Sequence, residues 1–421
     1  MKKLLAISAL AVLASHPLAA QEAGDAVRLP DDLRSFVAGV IGTHPRTAAA
    51  AAGISRSRAE AVAAGQPLYN PDLELDATPV VGSPPDSKLY TNYSAAVRLA
   101  VDISGKRELR AAIGSQQARV TEAEAHAAQM TLAADTINAL VDMQSARQRL
   151  EVATRQVDLA AKFLELSERS HKAGELPAME LGAAQLAAAE AASTQKEAEL
   201  AAVTAEETLR ITCLCTIDTA PALPTDLPAP PRLSEAQIDE LSSSRPEVLA
   251  ARSQVEAARQ AVELARAQRI PDPSFRLGGS KEGEEKRVLI GISVPIPVLN
   301  SGSAEVAAAG RALAQAEATE RQTTLEAAAA IRSAMRSYQR AVQGVESWQR
   351  LGVPSLERQS DVLTRLWRSG ELSATDFLVQ MRDTGQANAT AIDLRNTAWG
   401  AFADLLKAAS RSPFIGAIKD E

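Results

Sequence analysis

The chain has 421 residues and a net charge of −7. That length suits two or three ordinary domains. Residues 1–20 carry two lysines and no acid, so their removal takes the charge to −9, which argues against nucleic acid as a partner.

The chain opens with Met1-Lys2-Lys3, the apolar run Leu4–Leu13 and the small residues Ala19-Ala20. This order reads as a secretory signal peptide over residues 1–20. No cysteine lies near the cleavage point, so a lipid anchor there has no support. No later stretch of 18 or more uncharged apolar residues follows, so no transmembrane helix is expected; a membrane β-strand carries a much weaker signal. Gln21–Leu29 and the tail 410–421 are expected to be loosely held.

A first helix is expected over Pro45–Ala64, ended by Asn70-Pro71, because proline breaks a helix and biases its predecessor to extended backbone. Strands follow. From Tyr93 to Ile103 one face reads Tyr93, Ala95, Val97, Leu99, Val101 and Ile103 against Ser94, Ala96, Arg98, Ala100 and Asp102. A partner strand sets Leu73, Leu75 and Ala77 against Asp72, Glu74 and Asp76, with Gly82-Ser83-Pro84-Pro85-Asp86 as the loop between them. Such alternation marks either a tilted membrane strand or an ordinary half-buried sheet. The flanking aromatics, Tyr69, Tyr90 and Tyr93, make a thin interfacial girdle.

A helix of about 60 residues should come next, near 90 Å long at about 1.5 Å per residue. Ile113, Val120, Ala127, Ala134 and Val141 recur every seven residues, a coiled-coil seam, with Met130 and Ile137 beside them. The helix stops at Gly174, and a second returns to about Thr212. Cys213 and Cys215, the only cysteines, read as a redox pair, half a metal site, or plain apolar packing; no His or third Cys stands near to complete a ligand set. Thr219–Arg232 is a proline-rich linker, expected to be extended.

Then the chain repeats itself, at an offset of about 200 residues. His44-Pro45 returns as Arg245-Pro246, Asn70-Pro71-Asp72-Leu73 as Asp272-Pro273-Ser274-Phe275, and Val101-Asp102-Ile103 as Val294-Pro295-Ile296. Val288, Ile290, Ile292, Val294 and Ile296 form an alternating strand, paired through Gly-Glu-Glu with one holding Phe275 and Leu277. A second long helix carries Val306, Leu313, Ala327, Ala334, Ala341 and Trp348 at seven-residue steps, interrupted by Glu320. Pro354 is expected to kink it. It stops at Gly370, and a returning helix ends near Ala409. The expected units are a first repeat over 21–216, the linker 217–233 and a second repeat over 234–409. Each repeat reads helix, strand, strand, long helix, turn, helix.

No catalytic constellation is present. His44, His126 and His171 lack partners at triad or metal-ligand spacing, Gly278-Gly279 falls inside a strand pattern, and six methionines are scattered. Neither a cofactor nor an enzyme activity is expected. The acids past each turn differ from the rest. Glu180 lies six residues after Gly174, and Asp376 six after Gly370. Copies meeting around an axis would make of them a carboxylate ring that attracts cations and gates a pore. Alternatively, an acid in a helix's first turns simply favours the helix dipole.

The signal peptide, the duplicated helix–strand–strand–helix unit and the turns Gly174-Glu175-Leu176 and Gly370-Glu371-Leu372 resemble the TolC-like outer membrane factors over nearly all the mature chain. Asn70-Pro71-Asp72-Leu73-Glu74-Leu75 and Gly105-Lys106-Arg107 look most like the heavy-metal efflux, CzcC/CusC-like branch. The resemblance implies a mainly α fold with membrane β: a homotrimer whose protomers each give four strands to a 12-stranded outer-membrane β-barrel, continued by a periplasmic α-helical barrel. It implies a passive conduit for metal cations or drugs. The partners would be outer membrane lipid, a periplasmic adaptor (membrane fusion protein) and an inner-membrane pump of the resistance-nodulation-division class. It also implies an adaptor-docking tip at Arg169, Gly174, Leu176, Leu366, Arg368, Gly370, Leu372 and Ser373, and a periplasmic gate at Asp376 and Glu180. Some members carry a second acid three residues beyond; here Val379 and Ala183 stand there, which leaves a single ring. The competing reading is a periplasmic coiled-coil adaptor without a pore. It accounts for the heptads but not for two matching hairpins.

Overall fold

The computed structural model describes residues 29–81, 89–368 and 373–409. Residues 1–28, where the signal peptide is expected, and residues 82–88, 369–372 and 410–421 lie outside the described residues. Two compact units can be distinguished.

One unit gathers the segment up to Gly42, Thr131–Ser242 and the chain from Ala328 onward. It is helical. Helix α1 (Asp31–Thr43) opens on Asp31 and Asp32, acids that favour a helix N-terminus, and buries Leu33, Val37, Val40 and Ile41. These pack in one core with Leu132, Ile137 and Leu140 of α3 (Lys106–Lys172), Leu209 of α4 (Ala178–Cys213), and Trp399 and Phe402 of α8 (Ala374–Ala409). Leu29, the last residue of the segment expected to be loosely held, is part of this core; residues 21–28 lie outside the described residues. Neither α1 nor the short α5 (Glu235–Ser243) was expected; each repeat therefore opens on two helices.

The linker is held down rather than free. After a 3-10 turn at Ile217–Thr219, its Ala220, Leu223 and Leu227 pack against the same core. Proline-rich backbone makes no internal hydrogen bonds, so its carbonyls need outside donors. Gln144 Nε2 donates to the Pro221 carbonyl at 2.7 Å, Arg395 Nη2 to Pro224 at 2.6 Å, the Tyr338 hydroxyl to Pro228, and Gln339 Nε2 to Pro231 at 3.5 Å. Burial lowers the pKa of Arg395, opposed by nearby Asp226, and raises that of Tyr338. Cys213 and Cys215 are joined in a disulfide across Leu214, whose φ of 51° is the one positive non-glycine value among the described residues. Cys213 also lies in the core and Cys215 packs against it, as the apolar-packing reading expects.

The other unit gathers Thr43–Met130 and Ser243–Ala327. His44 caps α2 (Pro45–Ala64), its Nδ1 accepting from the Arg46 amide at 3.0 Å. Helix α6 (Pro246–Gln268) follows the same X-Pro start. Between the helices lie β1 (Asp72–Val81), β2 (Leu89–Ala100), β3 (Ser274–Glu282) and β4 (Glu285–Ser293), in one antiparallel sheet of order β1-β2-β3-β4. Strands β2 and β3 join the two repeats.

Helix α7 (Ser303–Arg368) has 66 residues and α3 has 67, and each contributes to both units. Both start alike. Asp102 Oδ1 accepts from the Ser104 amide at 3.1 Å and Asn300 Oδ1 from the Gly302 amide at 2.9 Å; Gly105 (φ 74°) and Gly302 (φ 70°) then turn the chain into each helix. Pro354 sits inside α7 without ending it. In α3 the expected seam is buried at Val120, Met130, Ala134, Ile137 and Val141. In α7 Ala327 is buried as expected, but beyond it the buried stripe runs through Ala328, Ile331, Tyr338 and Val342, whereas Ala334, Ala341 and Trp348 are half-buried.

Candidate functional site

The sheet has two unlike faces, and the pairing shows why. Leu73 lies opposite Val97, Val97 opposite Leu277, and Leu277 opposite Ile290. The neighbouring row runs through Leu99, Phe275 and Ile292. This apolar face is open: Leu75 is 70% exposed, Ile290 84% and Val288 77%. Contiguous exposed apolar surface of this kind marks an interaction with another protein or with lipid.

The opposite face is ionic. The Glu74 carboxylate meets the Arg98 guanidinium at 2.5 Å and that of Arg276 at 2.9 Å, spanning three strands. Ser94 Oγ donates to Asp76 at 3.0 Å, and Arg287 pairs with Glu282 at 2.5 Å and Glu285 at 2.8 Å. Small residues make room beneath: Ala96 lies between Glu74 and Gly278 in the ladder. A Cβ on Gly278 would stand 2.4 Å from the Ala95 carbonyl oxygen, so the strands approach too closely there for any side chain.

At the foot of the sheet the two repeats are bolted together. Lys106 Nζ donates to Asp272 Oδ1 at 2.8 Å and to the Ile270 carbonyl at 2.7 Å, with both side chains about nine-tenths buried. The Tyr69 hydroxyl reaches Asp272 Oδ2 at 3.4 Å. Arg107 Nε donates to the Gly65 carbonyl at 2.6 Å, and Arg269 Nε to that of Ser301 at 2.9 Å. Burial raises the pKa of Asp102, but the amides of Arg107, Ser104 and Lys106, with the Lys106 ammonium, outweigh it and hold the carboxyl below its ordinary value.

The helical turns are the second candidate. Gly174 has φ 80°; its amide donates to the His171 carbonyl and that of Glu175 to Ser170, the paired bonds that close a helix on a left-handed residue. Arg169 is exposed and pairs with Glu165 one turn back. Leu176 packs beside Phe163 and Phe377. Glu180 lies half-buried in the first turn of α4. At the other turn Leu366 is half-buried near the end of α7 and Arg368 closes that helix, while Gly370 and Leu372 lie outside the described residues. Ser373 caps α8: its Oγ accepts from the Asp376 amide at 3.1 Å and donates to Asp376 Oδ2 at 2.7 Å. Asp376 thus stands in the first turn of a serine-capped helix, where an acid favours the dipole, and the residue is exposed. Val379 is also exposed.

What ties the turns together was not read from the sequence. The Phe163 and Phe377 rings stack at 4.9 Å, almost fully buried, with Ala160, Ala184 and Met381 around them. One residue before, Asp376 faces solvent. Among the described residues no three His, Cys, Asp or Glu side chains gather as a metal site, and no helix is long and apolar enough to cross a membrane.

An open apolar strand wall backed by an ionic face, with long helical hairpins, defines a channel-type outer membrane fold. The outer membrane efflux protein family matches residues 40–212 and 237–410, and the chain belongs to that family. Its members are outer membrane channels that reach into the periplasm and act as trimers with an adaptor and an inner-membrane pump. The fold is similar to the solved structures of CusC (TM-score 0.74, 16% identity, 91% of this chain and 93% of that one) and of the outer-membrane channel OprN (0.76, 16%, 93% and 92%). It is also similar to VceC from Vibrio cholerae (0.72, 19%, 90% and 95%). No curated protein sequence matches the chain.

Proposed function

We propose that this chain is the outer-membrane conduit of a tripartite efflux system. It is a homotrimer whose twelve strands close a barrel in lipid and whose helical hairpins extend the passage into the periplasm. It is passive; the energy comes from an inner-membrane pump of the resistance-nodulation-division class, reached through a periplasmic adaptor. The observation that carries this reading is the sheet. Four strands with an exposed apolar face, and outer edges unpaired among the described residues, cannot stand alone in lipid, where every backbone group must be satisfied; copies must complete the wall. An adaptor without a pore would have no use for that face.

Arg169, Gly174, Leu176, Leu366, Arg368, Gly370, Leu372 and Ser373 form the tip that meets the adaptor. Asp376, with Glu180, forms the acidic gate. The carboxylate of Asp376 serves both its own helix and the ring, since the capping bond uses Oδ2 and an ionised carboxylate has further lone pairs to offer. The cargo is metal cations, on the likeness of Asn70–Leu75 and Gly105–Arg107 to the heavy-metal branch.

The test is direct. The mature protein, extracted from the outer membrane in detergent, should be trimeric and should conduct in planar bilayers. Asp376→Asn should raise conductance and weaken block by divalent cations. A monomer that is soluble without detergent removes the conduit reading; unchanged conductance and block remove Asp376 from the gate. A strain lacking the chain should lose resistance to divalent metals, and loss of drug resistance alone would reassign the cargo.

A further inference from the structure

The hairpin of β3 and β4 sorts its charges by face and leaves one face unbalanced. Gly283-Glu284 makes a two-residue turn, with Gly283 at φ 61°, and a turn of that length fixes which residues stand opposite each other. Glu282 faces Glu285, and Lys281 faces Lys286. Like charges directly opposed are unfavourable in a sheet. The glutamates are relieved on their own side, where Arg287 reaches Glu282 at 2.5 Å and Glu285 at 2.8 Å. The lysines lie on the other side, are exposed, and make no ion pair or side-chain hydrogen bond among the described residues.

The side they occupy is the apolar one. Tyr93 lies opposite Lys281 in the same row. The next residues along that face are Gly279 and Leu277 on β3, and Val288 and Ile290 on β4. A lysine that only blunts a sheet edge belongs on the edge strand; Lys281 stands on β3, which is paired on both sides. Two unbalanced cations at one end of an open apolar column call for an anion that carries apolar chains with it. A phosphorylated lipid has both parts.

Their height on the wall agrees. Below Lys286 the exposed column reads Val288, Ile290, Ile292, Val294 and Ile296, so its lower end is ten residues from the lysine. At about 3.4 Å per residue and a tilt of about 40°, that is at most about 26 Å, against an apolar band of about 25 Å on a membrane barrel. The lysines therefore stand at headgroup level, where a lysine stem lies along apolar surface and its ammonium reaches the polar zone. Tyr93 beside them is exposed, and a tyrosine ring suits the same level. The turn Gly283-Glu284 is at the end of the sheet away from α6 and α7. Members of the family reach into the periplasm, so the opposite end meets the outer leaflet.

We infer that Lys281 and Lys286, flanked by Tyr93, bind the phosphate of an outer-leaflet lipid whose acyl chains lie on the apolar column beneath. This rests on the outer-membrane reading above and adds to it a ligand and the residues that hold it. Directly opposed Cβ atoms stand about 5 Å apart, so one phosphate accepts hydrogen bonds from both ammonium groups, and charge-assisted bonds of that kind are the strong ones. The anion also relieves the repulsion between the two lysines.

Lipid retention tests the site. The mature protein in detergent is incubated with bisphosphorylated lipid A, with a chelator present so that no divalent cation bridges phosphate to protein, and bound lipid is counted by native mass spectrometry. Each copy should hold one. Lys281→Gln/Lys286→Gln should hold at least about tenfold less at the same lipid concentration, since each basic side chain near an anionic surface contributes separately. Lys281→Arg/Lys286→Arg should hold as much as the parent, and so should Arg287→Gln, whose side chain lies on the other face. The altered side chains are exposed, so the variants should assemble; size in detergent checks that. Fully dephosphorylated lipid A should not be held by the parent protein, and inorganic phosphate at the lipid's concentration should not displace the lipid. Equal retention by the glutamine pair, equal retention of the dephosphorylated lipid, or loss with Arg287→Gln overturns the site and leaves the conduit standing. Displacement by inorganic phosphate makes the ligand a soluble anion and overturns the lipid. A protein that is monomeric and soluble without detergent overturns the conduit and the site together.

Discussion

Removing the Lys106 ammonium should be among the most costly single changes in the strand-bearing unit. Its side chain is 11% exposed and that of Asp272 9%, so water screens neither charge. Lys106→Met strips the Asp272 carboxylate of its cation, leaves only the Tyr69 hydroxyl at 3.4 Å, and bares the Ile270 carbonyl. Breaking a buried pair from one side costs about 3–5 kcal/mol, because the orphaned charge stays in a poorly solvating site. Lys106→Met with Asp272→Asn removes both charges and should recover more than half of that loss. The assay is a double-mutant cycle on urea unfolding midpoints of the trimer in one detergent. A single-variant cost below about 1 kcal/mol, or single effects that add to the double within about 0.5 kcal/mol, would refute the claim that this ion pair joins the repeats.

Gly278→Val should abolish heat-stable trimers, since its side chain would meet the Ala95 carbonyl, while Gly279→Val, whose nearest neighbour is the Arg287 carbonyl oxygen at 3.5 Å, should assemble; gel mobility of unheated samples separates them. Phe377→Ala should cost about 3–5 kcal/mol of packing at the turns and raise hydrogen exchange around residues 160–190, whereas exchange in the strands should not change. Asp102 has a lowered folded pKa, so its contribution is present above the unfolded value of about 3.9 and is lost as pH falls through the lower folded value. Asp102→Asn should therefore narrow the difference between unfolding midpoints at neutral pH and at pH near 3, and an unchanged difference would remove the carboxylate from that loss.

Period-two alternation located all four strands and sorted their faces correctly, because an open apolar face and an ionic one differ at every second residue. It overran the ends. Val101 and Ile103 continue the pattern beyond β2, and Val294 and Ile296 beyond β4, yet those strands stop at Ala100 and Ser293. Ladder partners end a strand, and a single sequence does not display them. Helices α1 and α5 escaped notice because they are short, 13 and 9 residues, and each lies only one or two residues from the next helix. The α7 seam holds at Ala327 and shifts by one residue beyond it: Ala327 and Ala328 are both buried, and the tertiary neighbours of Ile331 and Tyr338 carry the later stripe onto their face. At the turns, the two acids share a place in the repeat, Glu180 six residues after Gly174 and Asp376 six after Gly370. The Phe163–Phe377 stack joins residues more than 200 apart in sequence, and nothing local announces it. The capping serine was legible as Ser-x-x-Asp and was passed over.

The stack and the acid have opposite tendencies at the proposed gate, and magnitudes decide between them. Three carboxylates about one Debye length apart, near 8 Å, repel by about 0.5 kcal/mol per pair in water before salt screening, hence about 1.5 kcal/mol in all. Burying one phenylalanine is worth about 1.5–3 kcal/mol, and a trimer buries Phe377 three times. In the proposed gate packing would therefore outweigh charge, and the aromatic contact would set its resting state, with Asp376 governing which ions pass and how strongly they are held rather than whether the turns separate. This division makes a sharp expectation for single channels. Phe377→Ala should raise the fraction of time spent in the widest state, whereas Asp376→Asn should change cation block and unit conductance with little effect on that fraction. The reverse pattern, with open time following Asp376 and indifferent to Phe377, would show that repulsion sets the gate and that the packing estimate is misapplied.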